Sequence, residues 1–364
     1  MSSSPILRAR SWHRGAQLQR GFSLMELMVG LTIGMVLVAG LAVLFANTSR
    51  SGNELEKSIR QIENGRYAIE LLHDELTLAG FYGEVPGDLS NYSSPDVCAT
   101  ALADLGWDKT TPSTPRLPQP VRGLSTTEAA ALPTTCIPNY KPGTVAFAVH
   151  RLGTEAVAPA TVSTTDVPYA QTSRCNSDPV ADPFILSGVA SNLNLKTFSC
   201  GSTSFNTVRP YLSRVYYIAS CNECGSGGDA TPTLKMAELR GTAMITVPLA
   251  EGIESMVLEY GFDTTDPASA TASAADKGRP DVFRTGLSGT AGARDNDWSN
   301  VVAVRLHLLS RTVEPSSGYN DSGKTYTLGP TSVSGDTTGF KRRVYTTTAR
   351  LINVAGPREV PSTP

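Results

Sequence analysis

Apolar and charged positions divide this chain sharply. Leu27 to Ala46 is a run of twenty uncharged residues, LMVGLTIGMVLVAGLAVLFA. As a helix it is roughly 30 Å long, one bilayer crossing. Beyond it Leu55, Ile59, Ile62, Ile69, Leu72, Leu76 and Ala79 recur at three- and four-residue spacing. Glu54, Glu56, Lys57, Arg60, Glu63, Glu70 and Asp74 fall on the other faces, which predicts a continuing helix with one apolar stripe against a core. No proline interrupts residues 22 to 85, and Gly80 offers a stop. Residues 22 to about 80 therefore predict a single helix about 90 Å long.

Downstream the period changes. Residues 85 to 145 are rich in Pro, Thr and Ser, as in Thr110 to Pro115, and read as loop. Strand-like runs follow at Thr144 to His150, Val215 to Ser220, Met244 to Pro248, Ser255 to Phe262, Val301 to Leu309 and Arg343 to Val354. In one of them Val302, Val304, Leu306 and Leu308 oppose Ala303, Arg305, His307 and Leu309. One apolar and one mostly polar face predict an antiparallel sheet with one side on a core. The fold class is then α+β, a long N-terminal helix with a transmembrane first half, packed on an antiparallel β-sheet head with long loops. The expected divisions are residues 1–21, a leader; 22–46, the membrane half of the helix; 47–82, its amphipathic half; 83–210, a loop-rich head region; and 211–364, a β-rich region.

Composition agrees with this division: Gly and Pro together supply 56 residues, which favours strands and irregular loops over long helices after residue 85. The net charge is -2, and setting aside Arg8, Arg10, Arg14 and Arg20 with residues 1–21 leaves -6. A mildly acidic surface speaks against general nucleic-acid binding. The same four arginines place residues 1–21 in the cytoplasm and residues 47–364 outside by the positive-inside rule. An extracytoplasmic head lets Cys98, Cys136, Cys175, Cys200, Cys221 and Cys224 be oxidised. Six cysteines allow fifteen pairings among which sequence does not choose; the expectation carried forward is the sequence-neighbour scheme, Cys98 with Cys136, Cys175 with Cys200 and Cys221 with Cys224.

An ordinary secretory signal is cut behind small residues after its apolar run, and Leu44-Phe45-Ala46 lacks that pattern. What precedes the run is Arg20-Gly21-Phe22-Ser23-Leu24-Met25-Glu26. This resembles the type IV prepilin motif, which implies cleavage after Gly21 and methylation of the new N-terminal amine of Phe22 by a prepilin peptidase. A carboxylate in an apolar helix costs roughly 2.5–3.5 kcal/mol at mid-bilayer, less near the interface, so Glu26 is a functional candidate on physical grounds as well. The resemblance implies that Glu26 meets the N-terminal amine of a neighbouring subunit and so determines assembly. The alternative is that it neutralises its own chain's amine and the helix dipole. Gly30 and Gly34 form a G-x-x-x-G pair that lets another helix approach.

Farther on, Arg214 to Ala219, Glu251 to Gly261, Asp297 to Arg305 and Arg342 to Thr348 look like the C-terminal region of PilW minor pilins. That resemblance implies a minor pilin that primes assembly near the pilus tip. Its implied partners are the major pilin, other minor pilins and a tip adhesin, and it serves twitching motility, adhesion or DNA uptake only through the filament. It also implies a single-pass inner-membrane protein with a periplasmic head that later enters the filament or its tip. The alternatives are a minor pseudopilin of a type II secretion system and a membrane-anchored binding module or hydrolase.

Other chemistry is sparse. Cys221-Asn222-Glu223-Cys224 has redox or zinc spacing, but GSGGDATPT follows instead of a helix, and a structural disulfide is expected. His13, His73, His150 and His307 are isolated, and no phosphate loop or G-x-S-x-G occurs. Asp263, Asp266, Asp276 and Asp281 are calcium candidates at most, Asp263 and Asp266 first, and a solvated loop is expected. Lys341-Arg342-Arg343 reads as a strand-edge charge cluster that opposes sheet aggregation, rather than a contact to DNA or an anionic partner. No cofactor and no enzymatic site are expected.

Overall fold

A computed structural model describes residues 21–85, 92–110, 115–162, 167–179, 182–266, 269, 272–273, 276–287 and 292–359. Residues 1–20 of the leader, with its four arginines and His13, and residues 86–91 and 111–114 of the expected loop lie outside them. The chain divides into two compact units between Leu55 and Glu56.

Helix α1 spans Leu24–Leu78 without a break, as the absence of proline predicts, and contributes to both units. It ends where the sequence offers a stop: Gly80 has a φ of +72°, which glycine adopts without a Cβ penalty. Asn353 Nδ2 donates to the carbonyls of Leu78 and Ala79, each at 3.3 Å, satisfying acceptors that a helix end leaves over. The face of α1 buried in the second unit is Gln61, Gly65, Ala68, Ile69, Leu72 and Leu76. The expected stripe is thus displaced at its start, since Leu55 and Ile59 are exposed. Gln61 takes the buried position because its amide finds two acceptors, the carbonyls of Ser310 at 3.0 Å and Lys341 at 2.8 Å.

A seven-stranded antiparallel sheet comprises β1 (Val121–Leu124), β2 (Ala146–Leu152), β3 (Tyr169–Thr172), β4 (Phe184–Ser187), β5 (Val208–Ala219), β6 (Thr233–Arg240) and β7 (Ala243–Glu251). Strand β5 is the hub, pairing with β2, β3 and β6. The sheet is buried on both faces. Phe147, Val149, Tyr216 and Ile218 share one core with α1. Ala146, Ala148, Val215, Tyr217 and Ala219 share another with Tyr82, Leu105, Leu117 and Ile137. The Pro/Thr-rich region therefore works as a cover; within it β1 and a six-residue helix, α2 (Thr126–Ala131), with a capping box between Ser125 and Glu128, interrupt the expected loop.

A second antiparallel sheet has the order β13 (Arg342–Arg350), β10 (Val301–Arg311), β8 (Ile253–Phe262), β9 (Val282–Arg284). Val302, Val304, Leu306 and Leu308 face α1 in the shared core, as their alternation predicts. The opposite face is not left to solvent: Ala303, His307 and Leu309 are buried too. The hairpin β11 (Thr325–Leu328) and β12 (Thr331–Ser334) lies over it. At its turn, Gly329 has a φ of +59°, and a Cβ there would stand 2.7 Å from His307 Nε2 and 2.8 Å from Glu259 Oε2. The expected strand Arg343 to Val354 stops at Arg350, and helix α3 (Ile352–Glu359) follows, burying Val354 and Ala355 in the same core.

Candidate assembly site and the charges that hold the head

Gly21, Phe22 and Ser23 precede α1, and the Leu27 N–H closes its first turn on Ser23 O at 3.0 Å. Glu26 falls in that first turn, where the unpaired N–H groups favour a carboxylate. Four-residue spacing then puts Phe22, Glu26, Gly30, Gly34 and Val38 along one face, where they line a single shallow groove. A Cβ at Gly30 or Gly34 would meet nothing within 4 Å, so the small residues leave open space beside the carboxylate. Thr32 and Thr48 return their hydroxyls to the carbonyls of Val29 and Leu44, each at 2.9 Å, which spares the apolar stretch unsatisfied donors. By length and composition α1 qualifies to cross a membrane.

In the second unit α1 is fastened by charge as well as by packing. Glu75, at the margin of the apolar stripe, accepts from Arg151 of β2 at 2.7 Å and from Arg214 of β5 at 2.7 Å. Arg214 also pairs with Glu238 at 2.6 Å, its partner across the β5–β6 ladder. Burial pushes the Glu75 carboxyl up, but the two guanidiniums outweigh it and hold it below its ordinary value. Sequence reasoning missed this set; its one signal was an acid between Leu72 and Leu76, on the apolar side of the helix.

The structure joins Cys98 to Cys136, Cys175 to Cys200 and Cys221 to Cys224, the neighbour scheme, with Cα separations of 5.7, 5.2 and 5.3 Å. The expected solvated acidic loop needs correction at Asp263, which is fully buried. Its carboxylate accepts from the N–H of Thr265 and of Gly278, each at 2.9 Å, and pairs with buried Arg358 of α3 at 3.3 Å. Those contacts leave it committed to protein donors, and among the described residues no three His, Cys, Asp or Glu side chains converge on a metal position, Asp266 included. The Lys341-Arg342-Arg343 reading also needs correction. The Arg342 side chain is buried and pairs with Glu254 of β8 at 2.6 Å, Asp336 at 2.7 Å and Asp321 at 3.1 Å, so it knots the start of β13 to β8 and to the loops beyond β10. His150 is buried on β2, its Nδ1 donating to Gln119 O at 2.7 Å, and burial brings its pKa down to about 4. His307 bridges Glu259 at 3.0 Å and Thr346 at 2.9 Å.

Comparison with known proteins falls on the same regions. Residues 17–42 match the prokaryotic N-terminal methylation motif, and residues 215–353 match the family described as Type IV Pilus-assembly protein W. No curated protein matches the chain. A type IV-like pilin from Thermus thermophilus is similar in structure at 11% identity and a TM-score of 0.32, covering 81% of this chain and 97% of its own; so distant a likeness says nothing further. With a prepilin-type motif directly before an apolar helix and a PilW match over most of the second sheet, the chain is a type IV pilin-like protein of the PilW type.

Proposed function

We propose that the chain is a minor pilin of a type IV pilus. In this reading a prepilin peptidase removes residues 1–21 and methylates Phe22. The first half of α1 then holds the protein in the inner membrane with its head in the periplasm. From there it joins other minor pilins and the major pilin, with a tip adhesin as a further partner, and primes filament growth near the tip. Twitching motility, adhesion or DNA uptake follow only through the filament.

The observation that carries this reading is Glu26. A lone carboxylate at that depth is costly in lipid, and a neighbour's N-terminal amine offsets the cost, so assembly is favoured from within the membrane. The groove formed with Gly30 and Gly34 leaves room for a second helix on the same face.

The test is Glu26→Ala in the native organism. The variant is expected to accumulate in the membrane with its head folded and to leave cells without normal filaments; normal piliation contradicts the reading. Deletion of the chain distinguishes the secretion-system alternative, which predicts blocked exoprotein release with pili intact.

A further inference from the structure

The C-x-x-C at the end of β5 has a neighbour that its sequence hides. Lys235 of β6 is buried, and its ammonium donates to Asn222 O at 2.9 Å and to Cys224 Sγ at 3.3 Å. A cation against one sulfur of a dithiol favours that sulfur as thiolate, the task a helix N-terminus performs in other redox sites.

The loop is also held independently of its bridge. Asp229 accepts from the N–H groups of Asn222 at 2.9 Å, Glu223 at 2.8 Å and Thr231 at 2.7 Å, and its own N–H donates to Glu223 O at 3.1 Å. Reduction would therefore leave the two sulfurs side by side. The acidic groups facing this loop are Asp229, shared among those three donors, and Glu251 of β7, which accepts from Asn222 Nδ2 at 2.7 Å. The other bridges close much longer segments, with sequence separations of 38 and 25 against 3, and such bridges gain more from constraining the unfolded chain. Cys175 Sγ meets the Ser177 hydroxyl at 2.9 Å where Cys224 meets an ammonium.

We propose that Cys221–Cys224 is a redox-active bridge that exchanges with a dithiol–disulfide partner, Cys224 engaging the partner and buried Cys221 serving as the leaving thiol when the bridge is reduced and as the resolving thiol when it reforms. A thiolate of the reduced partner bonds to Cys224 Sγ. The Cys221–Cys224 bond breaks, and Cys221 leaves as thiolate and takes up a proton. The partner's second thiol loses its proton to solvent and displaces Cys224, which leaves as thiolate beside the Lys235 ammonium. The partner is oxidised to its disulfide, and two electrons pass to the cysteine pair.

The full-length chain in detergent is equilibrated with glutathione buffers of graded potential, alkylated and mapped by peptide mass spectrometry. Cys221 and Cys224 are expected to be alkylated at potentials where the other four cysteines stay oxidised. Lys235→Met is expected to lower the equilibrium constant for their reduction tenfold or more, about 30 mV for two electrons, while Lys235→Arg restores it. Simultaneous reduction of all three bridges, reduction of Cys221–Cys224 last, or an unchanged potential in Lys235→Met with the other bridges intact would overturn the proposal.

Discussion

The ring of Tyr345 on β13 lies over Gly65 of α1, where a Cβ would stand only 2.3 Å from its Cε2. A glycine inside a helix ordinarily costs about 1 kcal/mol against alanine. Here it lets helix and sheet approach closely. Gly65→Ala is expected to lower the melting temperature of the detergent-solubilised chain, because overpacking of about 1–3 kcal/mol outweighs the helical gain. In a Tyr345→Ala background the same change should become stabilising by about 1 kcal/mol. A Gly65→Ala effect of the same sign in both backgrounds would show that the ring does not set the spacing.

Glu75 is expected to be the most sensitive charge on α1. Glu75→Gln leaves the buried Arg151 guanidinium without its carboxylate and should cost about 3–5 kcal/mol in denaturant unfolding. Glu56→Ala, which breaks the exposed pair with Arg60, should cost no more than about 0.5 kcal/mol.

Acid should weaken the head in two stages. His150 stays neutral when folded down to a pKa of about 4, whereas the unfolded chain takes up a proton below its ordinary 6.5. The unfolded state therefore binds more protons in that window, and stability falls as pH drops from 6.5 towards 4, by a total on the order of 3 kcal/mol. Glu75 acts later. Its folded pKa lies below the ordinary 4.5, so its contribution is present above that value and is lost as pH falls through the folded pKa. His150→Gln should flatten the first stage of a stability-versus-pH curve and leave the second.

Helix α3 is expected to depend on Asp263. Asp263→Asn leaves Arg358 buried without a counter-charge, and the last helix should become protease-sensitive before the rest of the head unfolds.

Much of this fold is legible in the chain because its strongest signals are long. The uncharged run, the absence of proline to residue 85 and Gly80 fix α1, and the alternation of Val302 to Leu308 fixes the face of β10 that meets it. Where local pattern and tertiary context compete, the pattern misleads. Leu55 and Ile59 continue the apolar period but are exposed, while Gln61 and Gly65 hold the buried face for reasons of hydrogen bonding and clearance. Strand β6 is written largely in Leu, Lys, Met, Ala and Glu, which favour helix, and pairing on both sides makes it a strand. Arg342 and Asp263 read as surface charges because the partners Glu254 and Arg358 lie 88 and 95 positions away. The prepilin-type motif is readable from order alone, since its glycine, aromatic residue and carboxylate are local.

Intact mass and N-terminal sequencing of the protein extracted from the native membrane read the processing of this chain at its source. The mature chain is expected to start at Phe22 with a methylated amine. A chain that retains residues 1–21, or starts at any other residue, would show that it is not processed as a prepilin.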